Sequence, residues 1–199
     1  MKQYPSILGI SKHPTSKCIA FKKYDGSNLR WEWCRKKGFY KYGTRNHLFD
    51  TTDEIFGKAI PLFYSTYVKS LEKIFVDNRL MEPITVFTEF FGAKSFAGLH
   101  DPEDEQELIL FDVWIYKKGL IDPKTFIKIF NKIKKAEIIY SGNLNKEFIQ
   151  DIKHGKYPVT EGVVCKGGKE KGLWMRKIKT DAYIQKLKDT FHSKWKQYT

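Results

Sequence analysis

Hydrophobic and polar positions alternate along several short stretches of this chain, which is the pattern of strands with one buried face. The same stretches are rich in β-branched and aromatic residues, which favour strands. We therefore predict strands over residues 18–23, 28–34, 38–42, 84–91, 107–116, 161–166 and 172–178.

Other stretches repeat their apolar residues at helical spacing. One predicted helix covers 51–78, and we expect an interruption near Pro61 because proline removes a backbone donor. Its apolar residues recur every four positions, at Phe63, Tyr67, Leu71 and Phe75. Further helices are predicted over 123–135, 144–153 and 180–197, the last of them with Thr180 as its N-cap.

Strands and helices mix without regular β-α-β alternation, which favours an α+β fold with largely antiparallel sheets. A chain of 199 residues is long enough for one well-buried domain. The sequence after Lys179 has room for one helix only. We therefore expect a single domain over 1–199 and no separate C-terminal domain.

The cysteine and apolar content narrows the class of protein. No apolar run approaches the roughly 20 residues of a membrane span, and the N-terminus lacks a signal-peptide core. Cys18, Cys34 and Cys165 are odd in number and widely spaced, and the five histidines show no ligand-type pairing. A disulfide framework and a structural zinc are not expected, and the predicted setting is the reducing cytoplasm.

The formal net charge of +13 favours a polyanionic partner, because neutralising phosphates releases bound counterions. A lysine-rich solvated surface would give the same charge. Charge alone therefore leaves nucleic acid and a bland surface as alternatives.

The most informative motif is Lys23-Tyr24-Asp25-Gly26 at the end of the first strand. A lysine amine can form a covalent intermediate when it is neutral, whereas a free lysine has a pKa near ~10.4. Burial and the like charges of Lys177 and Lys179, which a strand would place on one face, would lower that pKa. The alternative interpretations are an ordinary Asp-Gly turn and a basic edge strand.

Three carboxylates lie on or beside apolar strands, namely Asp25, Glu89 and Glu161. A buried carboxylate is costly unless it is paired or bound to a metal ion. Pairing with lysines on a crowded basic surface would explain them equally well.

Taken in order, these motifs carry a family resemblance. The series comprises Lys23-Tyr24-Asp25-Gly26, Thr44-Arg45-Asn46, Thr88-Glu89-Phe90-Phe91-Gly92, Phe111-Asp112, Glu161-Gly162 and Lys177-Ile178-Lys179. From about residue 19 to 179 the chain resembles the lysine nucleotidyltransferases, which include ATP-dependent ligases and mRNA capping enzymes. Within this superfamily the Glu89 motif resembles the RNA ligases, and Asn28 resembles their nick-sealing branch, although Lys22 stands where that branch often has glutamate.

The resemblance implies a fold and a set of roles. The fold would be an adenylyltransferase domain of two mainly antiparallel sheets flanked by helices, with the nucleotide between them. Lys23 would be the nucleophile, with Lys177 and Lys179 neutralising the α-phosphate. The other implied ATP-binding residues are Asp25, Gly26, Asn28, Arg45, Glu89, Phe111 and Glu161. Glu89 would bind the ribose, Phe111 would stack on adenine, and Arg45 would contact the ribose or a phosphate.

The resemblance also implies cofactors, a reaction and partners. ATP would be used with Mg²⁺ or Mn²⁺, and Asp25, Glu89 and Glu161 would hold the metal ion, largely through water. Lysyl-AMP formation, AMP transfer to a 5′-phosphate and sealing by a 3′-hydroxyl would join RNA or DNA ends or nicks, with Asn28 acting after adenylation. The alternatives are an ATP-dependent DNA ligase, a capping enzyme and a non-catalytic basic nucleic-acid-binding module. A monomer without membrane association is favoured.

Overall fold

The computed structural model describes residues 1–10, 16–93, 100–101 and 103–198. Within these residues the chain forms two compact units, each built around its own antiparallel sheet. The first unit comprises Met1–Pro5 and Asp25–Ala136, and the second comprises Ser6–Tyr24 and Glu137–Thr199. The predicted α+β class with antiparallel sheets is confirmed.

The strands in chain order are β1 (Lys17–Lys23), β2 (Ser27–Cys34), β3 (Gly38–Gly43), β4 (Leu48–Phe49), β5 (Ile84–Phe91), β6 (Glu107–Ile115), β7 (Gly119–Leu120), β8 (Ile138–Asn143), β9 (Gly162–Gly167) and β10 (Trp174–Lys179). The sheet of the first unit has the order β4-β3-β2-β5-β6-β7. The sheet of the second unit has the order β10-β9-β1-β8.

The helices in chain order are α1 (Ala59–Phe63), α2 (Lys69–Asp77), α3 (Pro123–Ile129), α4 (Lys146–Lys153) and α5 (Asp181–Phe191). A π-helical turn, Tyr64–Val68, joins α1 to α2, and a 3₁₀ turn, His192–Tyr198, follows α5. None of the described helices has the length and apolar character needed to cross a membrane.

In the first unit, the buried side chains of the strands and helices pack together in one aromatic core. Leu29 and Trp31 project from one face of β2 and are fully buried. The Trp31 indole stacks on the Phe63 ring, with 4.0 Å between centroids and 2° between planes. The buried Tyr67 hydroxyl donates to the Leu108 carbonyl at 2.8 Å, which ties the π-helical turn to β6.

In the second unit, the sheet buries one face against α4. The cluster contains Cys18, Ala20, Leu144, Phe148, Ile149, Ile152, Val163, Cys165 and Ile178. Because side chains alternate along a strand, burial of Cys18, Ala20 and Ile178 turns Lys23, Lys177 and Lys179 to the opposite face. The core therefore decides where the basic residues point.

The seven predicted strands are confirmed, with ends that differ by one or two residues. The prediction missed β4, β7 and β8. In β8, the sequence Ile-Ile-Tyr-Ser-Gly-Asn carries only a short apolar run and ends in turn-type residues, and its side chains are mostly exposed or half-buried.

Three helix predictions were wrong in extent. The predicted helix 51–78 begins only at Ala59, so Pro61 lies in the first turn, where its missing donor is tolerated. The interruption expected near Pro61 instead lies after α1, in the π-helical turn Tyr64–Val68. The predicted helix 180–197 ends at Phe191, where His192 adopts φ +46° and the chain tightens into a 3₁₀ turn. Helix α3 also stops early, at Ile129.

Truncation of Phe63 tests the aromatic core. We expect Phe63→Ala to lower the free energy of unfolding by about 3–5 kcal/mol, because it removes a fully buried ring and leaves a cavity beside Trp31. The matched control is Val76→Ala in α2, where 46% of the residue is exposed. Urea unfolding should show a change below about 0.5 kcal/mol for the control, and equal losses in both variants would contradict this account of the core.

Candidate active site

In the second unit, Lys23 lies in register with Lys179, another lysine of the predicted site. Lys23 on β1 pairs with Gly162 on β9, and Gly162 pairs with Lys179 on β10. Gly162 carries no side chain between the two lysines and adopts φ +146°; an added Cβ would lie 2.0 Å from the Ile178 carbonyl oxygen. The register therefore places two lysines on one face of the sheet with a glycine between them.

Glu161 joins the two lysines. Its carboxylate lies 2.8 Å from the Lys23 Nζ and 3.0 Å from the Lys179 Nζ. The Glu161 side chain is only 3% exposed, so both ion pairs form around a buried anion. Such a carboxylate stabilises the charged form of both amines, which opposes the effect of burial on Lys23.

Lys177 lies on the same face, two residues before Lys179. It pairs with Val164, which in turn pairs with Phe21 on β1, and its backbone N–H donates to the Leu8 carbonyl at 3.1 Å. The structure therefore brings together Lys23 on β1, Lys177 and Lys179 on β10, and Glu161, which directly precedes the intervening strand β9.

Lys166 is a basic residue on this face to which the sequence assigned no role. It is 4% exposed, and its Nζ lies 5.3 Å from the centroid of the Phe21 ring. Strand alternation could have predicted this position. In β9, Lys166 points to the same face as Val164, whereas the buried Cys165 points to the other face.

In the first unit, the Asp25-Gly26 turn packs tightly on β5. A Cβ on Gly26 would lie 2.3 Å from the Phe90 carbonyl oxygen, so only glycine fits at this position. His100 contacts the Asp25 backbone oxygen through Nε2, and its other ring nitrogen lies 3.6 Å from the Asp104 carboxylate. Nothing in the sequence indicated this contact, because His100 and Asp25 are 75 residues apart along the chain.

Asn28 and Glu89 form a cross-strand pair, since Asn28 on β2 lies directly opposite Glu89 on β5. Residues that face each other in this way lie on the same side of the sheet. The Asn28 Oδ1 is buried and has no hydrogen-bond partner among the described residues. A buried acceptor beside a carboxylate is suited to a ligand that carries hydroxyl or amide donors.

Phe111 occupies a β-bulge in β6. The pairing with β5 passes from Thr88–Leu110 to Phe87–Asp112, which leaves Phe111 as the extra residue. Its half-buried ring packs on Phe87 at 6.3 Å and meets the edge of Tyr4 at 5.0 Å. Tyr4 was not predicted, and no sequence pattern marks it.

The Tyr4 hydroxyl donates to the Asp112 carboxylate at 2.8 Å. Burial and the nearby Asp112 raise the pKa of Tyr4 above its ordinary value, so the hydroxyl keeps its proton and remains a donor. This hydrogen bond anchors Tyr4 against the Phe111 ring.

Arg45 lies in the turn between β3 and β4, and its side chain is exposed. Its backbone carbonyl accepts a hydrogen bond from Gln3 at 3.1 Å, and Thr44 closes the turn by accepting from the Asn46 and His47 amides. No contact described for Arg45 involves another predicted site residue within the part of the chain that the structure describes.

The carboxylates predicted to hold a metal ion are divided between the units, with Asp25 and Glu89 in the first and Glu161 in the second. The described residues contain no group of three or more acidic, histidine or cysteine side chains placed to bind a metal ion directly. Magnesium often keeps several waters and uses only one or two carboxylates, so it does not need three protein ligands in direct contact.

No protein-family model and no curated protein sequence matches this chain. Solved structures do match it. An archaeal ATP-dependent RNA ligase superposes with a TM-score of 0.66 at 16% identity, covering 96% of this chain and 52% of the ligase.

Two structures of the RNA ligase from Naegleria gruberi match at 19% identity with TM-scores of 0.63. One is a lysine-to-alanine variant with ATP and manganese, and the match covers 89% of this chain and 53% of the ligase. The other contains pyrophosphate, with coverage of 94% and 60%. This chain therefore spans between half and three-fifths of those ligases and shares their α+β fold over that part.

Neutralising Glu161 tests the ion-pair cluster. We expect Glu161→Gln to lower the free energy of unfolding by about 3–5 kcal/mol, because two ammonium groups then face each other without their shared anion. Glu137→Gln is the matched control, since Glu137 pairs with the neighbouring Lys22 at 3.5 Å and is 58% exposed. Surface pairs contribute about 0–1 kcal/mol. Urea denaturation at pH 7 measures both losses, and a Glu161→Gln variant as stable as its control would refute the cluster's structural role.

Proposed function

We propose that this protein is an ATP-dependent RNA ligase that acts through a covalent lysyl-AMP intermediate. The observation that carries the proposal is the Lys23–Gly162–Lys179 register with the buried Glu161 between the two amines. It occurs on a fold shared with RNA ligases, one of which is seen with ATP and manganese. We treat residues 1–199 as one adenylyltransferase domain that comprises both units.

In the first step, the neutral Lys23 amine attacks the α-phosphorus of ATP. A P–N bond forms, the bond to the β-phosphate oxygen breaks, pyrophosphate leaves, and the lysine proton passes to a base or to water. The Glu161 carboxylate lies within hydrogen-bond distance of that amine, at 2.8 Å, and it is suited to accept or relay the proton. Lys177 and Lys179 neutralise the negative charge that develops on the phosphate.

The first unit contributes nucleotide-binding groups in this proposal. Phe111 stacks on adenine, Glu89 and Asn28 accept hydrogen bonds from the ribose, and the Asp25-Gly26 turn and Arg45 bind phosphate or ribose oxygens. Asp25, Glu89 and Glu161 would hold Mg²⁺ or Mn²⁺, which supplies further charge neutralisation at the phosphates when bound.

In the remaining steps, an oxygen of an RNA 5′-phosphate displaces lysine from AMP, which breaks the P–N bond and returns the proton to Lys23. A 3′-hydroxyl then attacks the activated 5′-phosphorus, and AMP leaves. Activation is needed because a phosphate dianion is a poor electrophile. The proposed setting is the cytoplasm, which suits three cysteines that are all unbridged.

We favour RNA rather than DNA as the proposed substrate. The matched structures are RNA ligases, and Glu89-Phe90-Phe91-Gly92 resembles the RNA ligase motif. Joining of matched nicked RNA and nicked DNA duplexes tests this choice. Efficient sealing of the DNA nick alone would reassign the protein as a DNA ligase.

The nucleophile is tested by incubation with α-labelled ATP and magnesium, followed by denaturing electrophoresis and intact mass measurement. We expect one AMP adduct, lost in Lys23→Ala and retained in Lys22→Ala, because Lys22 instead pairs with the exposed Glu137. An adduct that persists in Lys23→Ala would reject the nucleophile. An adduct with GTP alone would indicate capping chemistry, and no adduct from protein free of prior adenylation would favour a binding module.

The adenine contact is tested by Phe111→Ala. Since base–aromatic stacking is worth about 1–3 kcal/mol, we expect the ATP concentration for half-maximal labelling to rise roughly 5- to 150-fold, with RNA binding nearly unchanged. Tyr116→Ala is the control, as Tyr116 follows β6 and is 43% exposed. Equal losses of ATP use and RNA binding in Phe111→Ala would indicate a packing role only.

A further inference from the structure

The positive charge of the protein is concentrated in one unit. Lysine and arginine outnumber aspartate and glutamate by ten in the second unit and by three in the first, although the first is the larger of the two. Most of the net charge of +13 therefore belongs to the unit that carries Lys23. A field of this kind attracts polyanions and accelerates their binding.

Within that unit, the hairpin formed by β9 and β10 is the most basic segment. It carries six basic residues and one acidic residue, Glu170, between Gly162 and Lys179. The basic residues are Lys166, Lys169, Lys171, Arg176, Lys177 and Lys179. Lys169 and Lys171 are exposed, whereas the other four are buried or half-buried.

The backbone of the hairpin tip, Gly167–Leu173, is held in one shape. A Cβ on Gly167 would lie 2.5 Å from the Trp174 ring and 2.6 Å from the Lys17 carbonyl oxygen. Gly168 adopts φ +76°, and its Cβ would lie 2.0 Å from the Gly172 carbonyl oxygen. The tip is closed by hydrogen bonds from the Gly172 amide to the Lys169 carbonyl and from the Leu173 amide to the Glu170 carbonyl.

The lysines at the tip have no carboxylate partner among the described residues. Within the described part of the chain, no salt bridge involves Lys169, Lys171 or the exposed Lys17, whose backbone lies against Gly167. Lys23, Lys156 and Lys179 of the same unit each have a carboxylate partner within 3.0 Å. Exposed lysines without carboxylate partners can exchange their counterions for phosphates at little cost.

We propose that the hairpin tip, with Lys17, Lys169 and Lys171, binds the phosphate backbone of the RNA substrate at a distance from the joined end. This inference rests on the proposed RNA ligase function. Strand β10 runs from Trp174 at the tip to Lys179 beside Lys23, so five residues separate the two places. At about 3.3 Å per residue this is about 17 Å, the length of about five stacked nucleotides.

The test compares two double variants with the same loss of charge. One is Lys169→Ala with Lys171→Ala, and the control is Lys124→Ala with Lys128→Ala, on two exposed lysines of α3 in the first unit. Fluorescence anisotropy of a fluorescein-labelled nicked RNA duplex is measured over a series of KCl concentrations. In parallel, AMP labelling by α-labelled ATP is measured without RNA.

We expect the hairpin variant to bind RNA more weakly and to reduce the slope of log K against log salt by about 1.4–1.8, since each lost phosphate contact removes about 0.7–0.9. Its AMP labelling should stay within about twofold of the wild type. The control should keep the wild-type slope. A hairpin variant with the wild-type slope, or equal losses in the two variants, would overturn the proposal.

A second series uses nicked duplexes shortened on one side of the nick. Binding by the wild type should fall when fewer than about five nucleotides remain on the side that contacts the tip, and the hairpin variant should not show this fall. An identical length dependence in both proteins would reject the assigned position. If the wild type forms no AMP adduct, the ligase function fails, whereas an adduct with an unchanged salt slope rejects the hairpin surface alone.

Discussion

The arrangement of the candidate site depends on one buried carboxylate shared by two amines. Glu161 is 3% exposed and lies within 3.0 Å of both the Lys23 and the Lys179 nitrogens. An anion in such a place requires nearby cations, and like-charged amines so close together require the anion. Gly162 permits the arrangement, because any side chain at that register would stand between the two lysines. The cluster therefore stabilises the second unit and also contains the amines that the proposed reaction uses.

In both sheets, one face is buried in the core and the other face carries candidate site residues. In the second unit, Cys18, Ala20 and Ile178 are buried against α4, which turns the lysines to the other face. In the first unit, Leu29 and Trp31 enter the aromatic core, while Asn28 and Glu89 face the other side. Strand alternation therefore links core packing to the candidate site, because each core residue fixes the direction in which its neighbours along the strand point.

Elements with a strong local pattern could be predicted from the sequence, and weakly patterned ones could not. Strands β1, β5 and β6 contain apolar runs, β2 alternates apolar and polar residues, and the predicted bounds of all four agree closely with the structure. Strand β8 is an edge strand held by its pairing with β1, and nothing in its own six residues requires that pairing. Before α1, local turns replace the predicted helix, because Asp50 accepts from the Thr52 amide and Asp53 accepts from the Ile55 and Phe56 amides.

The sequence by itself determined the chemical groups, their order and, through alternation, which residues share a strand face. This was enough to predict the α+β class, and it led us to propose Lys23 as the nucleophile together with the polar residues that could serve it. Only the tertiary structure decided which distant groups meet: Glu161 is 138 residues from Lys23, and His100 is 75 residues from Asp25. The physical reason is that such contacts depend on strand register and burial across the whole sheet, and these are settled by core packing, which no local pattern records.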